Sequence, residues 1–366
     1  MIYAFIDTSI IIQKNFDFKS TLFKRLIDLT NKSILNIFHT YISDSEIING
    51  IDSSLQNAKS RLASSKLKSD IKVLRNFDLF SIIFSKDYDK IFREFRNDLI
   101  SRYQTFLSNS NSIEIPIDES NTIDIFKSYF QKKPPFGVGK KKNEFPDAFI
   151  LSVLHNYSIK NQIYIYVVSN DNDMKTYCLD KQYLIEINSL EDLLGIASKA
   201  EYKEETINAI NKGIIDHRKE IEHRISYLID SSDVSLVDVD GFVNEIEIEN
   251  VNFEFDQVLN VEVDKGIVTI SGDADLLITL KVNYHDPGTS ITDGTYVAIG
   301  SGGFDDHYNA RKIINRNTNM PVVLDIKTDE YNEGNPDTEN YGNKFEVLNV
   351  EIVNNASIDI SIFSNE

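Results

Sequence analysis

Residues 2–9 read IYAFIDTS, and the reading of this octet decides the fold. Five apolar residues form a short buried run, and Asp7 ends it with a charge where a strand would leave the core. The same design returns late in the chain. Residues 163–168, IYIYVV, form a second apolar run, and the loop SNDND that follows brings Asp171 and Asp173. Between these two runs, helical and strand patterns alternate. Residues 22–29 predict a helix, 34–38 a strand, 43 onward a long helix, 87–107 a helix, 113–117 a strand and 122–130 a short helix. The stretch KKPPFGVGKKKNEF at 132–145 reads as a loop, after which Pro146 opens a helix through Tyr157. A last strand is expected at 183–187. Strands alternating with helices predict βαβ units and an α/β fold with a mostly parallel sheet.

Two starts within this pattern place further acids. Ser43 with Glu46 three residues later matches a capping box, which puts Glu46 in the first turn of its helix. Asp147 directly follows the helix-opening Pro146. In an open parallel sheet, strand C-termini and the helix starts that follow them share one edge, where ligands bind. Asp7, Glu46, Asp147, Asp171 and Asp173 are therefore expected to converge. Clustered carboxylates repel unless cations neutralise them, and hard oxygen donors suit Mg²⁺ or Mn²⁺. Such ions generate hydroxide from water and offset charge on phosphorus, so the chemistry expected is phosphodiester hydrolysis.

Beyond Ser198 the pattern changes. A polar helix is expected to about residue 228, bridging two halves. Segments 242–249, 258–263, 267–271, 276–284, 295–299, 345–353 and 357–363 then alternate apolar with polar residues. That is an all-β pattern, most simply a sandwich. The organisation expected is an α/β domain at 1–198, a helical linker at 199–230 and an acidic β-rich domain at 231–366. Charge divides at the same place. Of the chain's net charge of −19, residues 1–199 contribute +2, from 26 basic and 24 acidic residues, and the remainder contributes −21. The first half can meet phosphates; the second would repel nucleic acid and suits a protein partner, a homo-oligomer contact, a sensed ligand or a restraint on the first half.

Composition removes several function classes. The one cysteine, Cys178, excludes an internal disulfide framework and multi-cysteine zinc sites, and cytoplasm is the compartment expected. The apolar opening is broken by Asp7 and has no basic leader, so no signal peptide is expected. No run of about 18 apolar residues suggests a membrane span. The six histidines show no metal-like spacing, and GSGGF at 300–304 precedes a strand pattern and not a helix, so it is read as a turn.

In order along the chain, YAFIDTS, SDSEIING, FPDAFILSVL and VVSNDNDM resemble the four acid motifs of PIN-domain nucleases, in the style of the VapC-type toxin ribonucleases. The resemblance covers residues 1 to about 195. It implies a PIN-like, Rossmannoid sheet flanked by helices, metal ligands at Asp7, Glu46, Asp147 and Asp171 with Asp173 as a fifth acid, and hydroxyls of Thr8 or Ser9 that orient a ligand or phosphate. It also implies an endoribonuclease that leaves a 3′-hydroxyl and a 5′-phosphate. RNA, single-stranded or structured, is the substrate expected ahead of DNA. Lys140, Lys141 and Lys142, just before Asp147, are candidates for phosphate contact, and Lys68, Lys72 and Arg75 for a basic helical stripe. The insert at 57–112 and the second half both exceed a compact toxin. The competing expectation is a non-catalytic PIN-like binding or regulatory protein, with the acidic β domain as its interaction or sensor module.

Overall fold

The computed structural model describes residues 1–64, 68, 71–77, 80, 84, 87–136, 144–229, 234–236, 241–262, 265–284, 310–328, 345–352 and 358–360. They divide into two compact units, Met1–Glu201 and Tyr202–Glu366. Lys140, Lys141 and Lys142, the strand expected at 295–299 and the turn at 300–304 lie outside the described residues.

In the first unit, β1 (Ile2–Ile6) is the middle strand of five. Its neighbours are β2 (Leu35–His39) and β4 (Ile165–Val168), with β3 (Ile113–Glu114) and β5 (Leu184–Ile187) at the edges, all parallel. The chain winds outward from β1 to β3, then returns to lay β4 along the other side of β1. The order therefore reverses between β1 and β4, the place where a sheet of this kind leaves a crevice beyond its strand ends. Both strands are apolar on both faces because helices cover each side. Ala4, Phe5, Val167 and Val168 are fully buried.

Eight helices complete the described part of this unit: α1 (Thr8–Gln13), α2 (Thr21–Asn31), α3 (Tyr41–Leu62), α4 (Tyr88–Asn109), α5 (Thr122–Gln131), α6 (Phe145–Asn161), α7 (Asn172–Leu179) and α8 (Leu190–Glu201). Two starts differ from expectation. α1, for which no element was expected, follows β1 with a single residue between them; Asp7 caps it, accepting from the Ser9 amide. α3 begins earlier than expected. Its capping box is Thr40 with Ser43, in which the Ser43 amide donates to Thr40 Oγ1 at 3.1 Å and the Thr40 amide to Ser43 Oγ at 2.9 Å. Thr40 directly follows β2 and so captures the cap, which moves Glu46 into the second turn.

The insert folds as the far end of α3 paired with α4. Asp52 receives Arg96, Lys59 reaches Asp89, and Phe106 and Tyr103 of α4 pack on Phe18 and Phe23. The expected basic stripe does not form one α-helical face, because residues Lys72–Asn76 are a 3₁₀ turn. Lys68 and Arg75 each lie over an aromatic ring, those of Tyr88 and Phe84.

The second unit is built on an antiparallel sheet of order β10-β9-β8-β7, with β7 (Gly241–Glu262), β8 (Ile267–Tyr284), β9 (Ala310–Thr328) and β10 (Phe345–Ile352). β6 (Val234–Leu236) and β11 (Ile358–Ile360) form a separate parallel pair. The single linker helix expected is two helices, α9 (Glu204–Asp216) and α10 (Arg218–Leu228). Ile210, Ile214, Ile221 and Ile225 on them join one core with Phe253, Ile278 and Leu324 of the sheet. Among the described residues, then, helices rather than a second large sheet cover the buried face. Gly272 is required here, since a Cβ would fall within 3.0 Å of the Glu254 carbonyl and the Phe253 ring.

Candidate active site

Asp7 stands at the C-terminal end of β1, and its amide donates to the Val168 carbonyl at the end of β4 at 3.0 Å. This one bond joins the two strand ends on either side of the crevice. Asp7 is only 4% exposed. Its Oδ2 accepts from the Ser9 amide at 3.3 Å, from Ser169 Oγ at 3.1 Å and from Ser9 Oγ. Burial nevertheless raises its pKa above the ordinary value, against the lowering effect of those hydrogen bonds.

Glu46 reaches the same place from α3. Thr8 Oγ1 donates to its Oε2 at 3.4 Å, and burial followed by the charge of Asp7 raises its carboxyl. Asp147 lies in the first turn of α6, behind Pro146, with Glu144 at the N-cap position. Its carboxyl is pushed up to about 7, first by burial and then by the charges of Glu46, Asp7, Asp171 and Glu144. Among the described residues, the charges that act on it most are the like charges of these four acids. Asp171 caps α7 after β4, accepting from the amides of Asp173 at 2.6 Å and Met174 at 3.4 Å. The sheet edge thus gathers Asp7, Glu46, Asp147 and Asp171. Asp173, exposed in the first turn of α7, does not figure among the charges acting on Asp147. The hydroxyls of Thr8 and Ser9 are spent on Glu46 and Asp7.

Sequence reasoning missed two members. Ser169, fully buried, links the acids: its hydroxyl donates to Asp7 and accepts from the Asp171 amide at 3.1 Å. Glu144 adds a further negative charge beside Asp147. The signal for Ser169 was its position between the strand end and Asp171; Glu144 was read as part of the loop.

These donors are all hard oxygens, and their mutual repulsion in a buried setting is what a divalent cation would relieve. Among the described residues, no three His, Cys, Asp or Glu side chains already stand in a metal-holding cage. Asp7, Glu46 and Asp171 are instead each turned to their own hydrogen-bond donors. Nor, among the described residues, is any helix long and apolar enough to cross a membrane.

No curated protein and no solved structure matches the chain. A family model described as a PIN domain matches residues 4–174. That stretch opens inside β1 and closes inside α7, so it contains all four converging acids. Together with the five-stranded parallel sheet, the match shows that residues 4–174 of this chain are similar to a PIN domain.

Proposed function

We propose that the chain is a metal-dependent endonuclease that hydrolyses phosphodiester bonds, in RNA ahead of DNA. The observation that carries this reading is the environment of Asp147, a buried carboxyl pushed up to about 7 by its own burial and by the neighbouring acids Glu46, Asp7, Asp171 and Glu144. PIN domains are generally nucleases, and the preference for RNA follows the likeness of the four motifs to the toxin ribonucleases. Asp7, Glu46, Asp147 and Asp171 would hold Mg²⁺ or Mn²⁺. Such an ion, when bound, supplies an activated water and neutralises charge on the phosphate. The protein's own residues prepare the place. Ser9 and Ser169 hold Asp7 still, Thr8 holds Glu46, and the helix amides at 173 and 174 fix Asp171. The second unit, at a net charge of −20, leaves substrate contact to the first.

End-labelled single-stranded RNA and matched DNA, incubated with the full chain in Mn²⁺ or EDTA, test this directly. Expected is Mn²⁺-dependent internal cutting of RNA that Asp147→Asn reduces by at least about a hundredfold. Unimpaired cutting by that variant would remove Asp147 from the site. No cutting, with no Mn²⁺-dependent thermal stabilisation either, would favour a PIN-like binding protein.

A further inference from the structure

One face of α5 is apolar and open. Ile123, Phe126 and Phe130, at positions i, i+3 and i+7, are 69%, 45% and 76% exposed. Large apolar side chains scattered singly over a surface need no explanation, but three aligned on one helical face do. The helix is not loose. Its opposite face is anchored by Ile125, which is buried with Phe136 and Ala148, and by Tyr129, whose ring meets Phe136 at 5.4 Å and Phe145 at 4.9 Å. The Asn121 amide also donates to Ser152 Oγ of α6 at 2.9 Å. The exposed rings are therefore presented on a rigid support.

That support is continuous with the acid cluster. Phe126 meets Phe145 at 5.7 Å, and Phe145 opens the helix turn that carries Asp147. Phe126 and Phe130 are stacked, 6.5 Å apart with 30° between their planes. At the end of the helix, Lys132 and Lys133 are exposed. Aromatic faces beside exposed lysines, next to a phosphodiester-cutting centre, match the chemistry of single-stranded nucleic acid, whose unpaired bases stack on rings while cations track the backbone.

We infer that Phe126 and Phe130 form a base-stacking platform that holds single-stranded RNA as its backbone enters the acid cluster. This rests on the nuclease reading above and adds the strandedness of its substrate. Bases within a duplex are already stacked and cannot use the platform.

The chain has no tryptophan, so Phe130→Trp in the full-length protein installs a sole fluorescent reporter. Titration in EDTA with a short single-stranded RNA should quench it, and the same sequence as duplex should not. In a label-based binding assay, Phe126→Ala/Phe130→Ala should weaken single-strand binding by at least about tenfold. Phe126→Tyr/Phe130→Tyr should keep it, and Phe126→Leu/Phe130→Leu should behave as the alanine pair. Full single-strand affinity in the alanine or leucine pair overturns the platform while leaving Mn²⁺-dependent cutting, and hence the nuclease reading, intact. Absence of both binding and cutting by the wild-type chain overturns both. If the alanine pair only converts a dimer to a monomer in sedimentation, the face joins two copies of the chain and the inference fails.

Discussion

Asp147 shows how a single carboxyl reports on its surroundings through pH. Its folded-state value of about 7 exceeds the ordinary 3.8. Below the ordinary value, folded and unfolded chains both hold the proton and the group contributes nothing. Between the two values the unfolded chain has released a proton the folded chain keeps, so stability falls as pH rises, and above about 7 the whole penalty is present. Asp7 and Glu46 are shifted in the same direction. In EDTA the chain should therefore melt lower at pH 8 than at pH 5.5. Asp147→Asn should flatten that slope and raise stability at pH 8 by about 1 kcal/mol or more, read from urea titrations. An unchanged slope would mean that the carboxyl carries no such burden. Stabilisation by Mn²⁺ should be greater at pH 8 than at pH 6, since protons compete for the same oxygens. The four converging acids were legible because strand ends and helix starts follow from local pattern. Ser169 was not, because what it does depends on Asp7, 162 residues away.

At the level of elements, legibility followed periodicity. β7 looked like two strands because its pairing with β8 slips at four places, among them 248/250 and 255/257. Each slip shifts the alternation of inward and outward residues and breaks the two-residue period. β9 was overlooked for another reason: Asn315, Asn317 and Asn319 occupy its exposed positions and imitate a turn, although Ile314 and Met320 face the core. Pro321 lies where β9 outruns β10, whose pairing ends at Val322, so its missing amide breaks no bond to β10. The start of α3 offers a test. Thr40→Ala removes the cap and should cost about 1 kcal/mol, seen by urea denaturation. Because Glu46 rides on that helix, the same variant should also lower Mn²⁺ affinity; stability lost with metal binding unchanged would show that Thr40 supports only the fold.

For the molecule as a whole, the first unit closes on a set of ion pairs. Arg25, whose side chain is 2% exposed, reaches Glu201, and Lys32 meets the same carboxylate at 2.8 Å. Although burial works the other way, hydrogen bonds from Lys32 and Arg25 hold Glu201 below its ordinary value. Lys14 and Glu191 make a second buried pair at 2.7 Å. A domain cut at residue 198, where the change of pattern suggested it, would strip Arg25 of one carboxylate partner. Residues 1–201 should therefore fold and retain Mn²⁺-dependent cutting, whereas residues 1–198 should be less stable by about 2 kcal/mol or more, as measured by urea denaturation. Equal stability of the two would show that Glu201 is dispensable. The charge step near residue 200 was readable from composition; that α9 and α10 belong to the second core was not, because their isoleucines are diluted among charged neighbours.

The order of strands also has a meaning in time. β1 is made first, yet the edge that β4 will cover stays open until residues 165–168 have left the ribosome, and Asp171 emerges later still. During synthesis, then, the acid-bearing edge is completed only after β1, β2 and β3 have been made. A message cut or stalled before that point yields a chain whose central strand has one edge unpaired and an incomplete set of acids. Such a product is bound for aggregation or proteolysis.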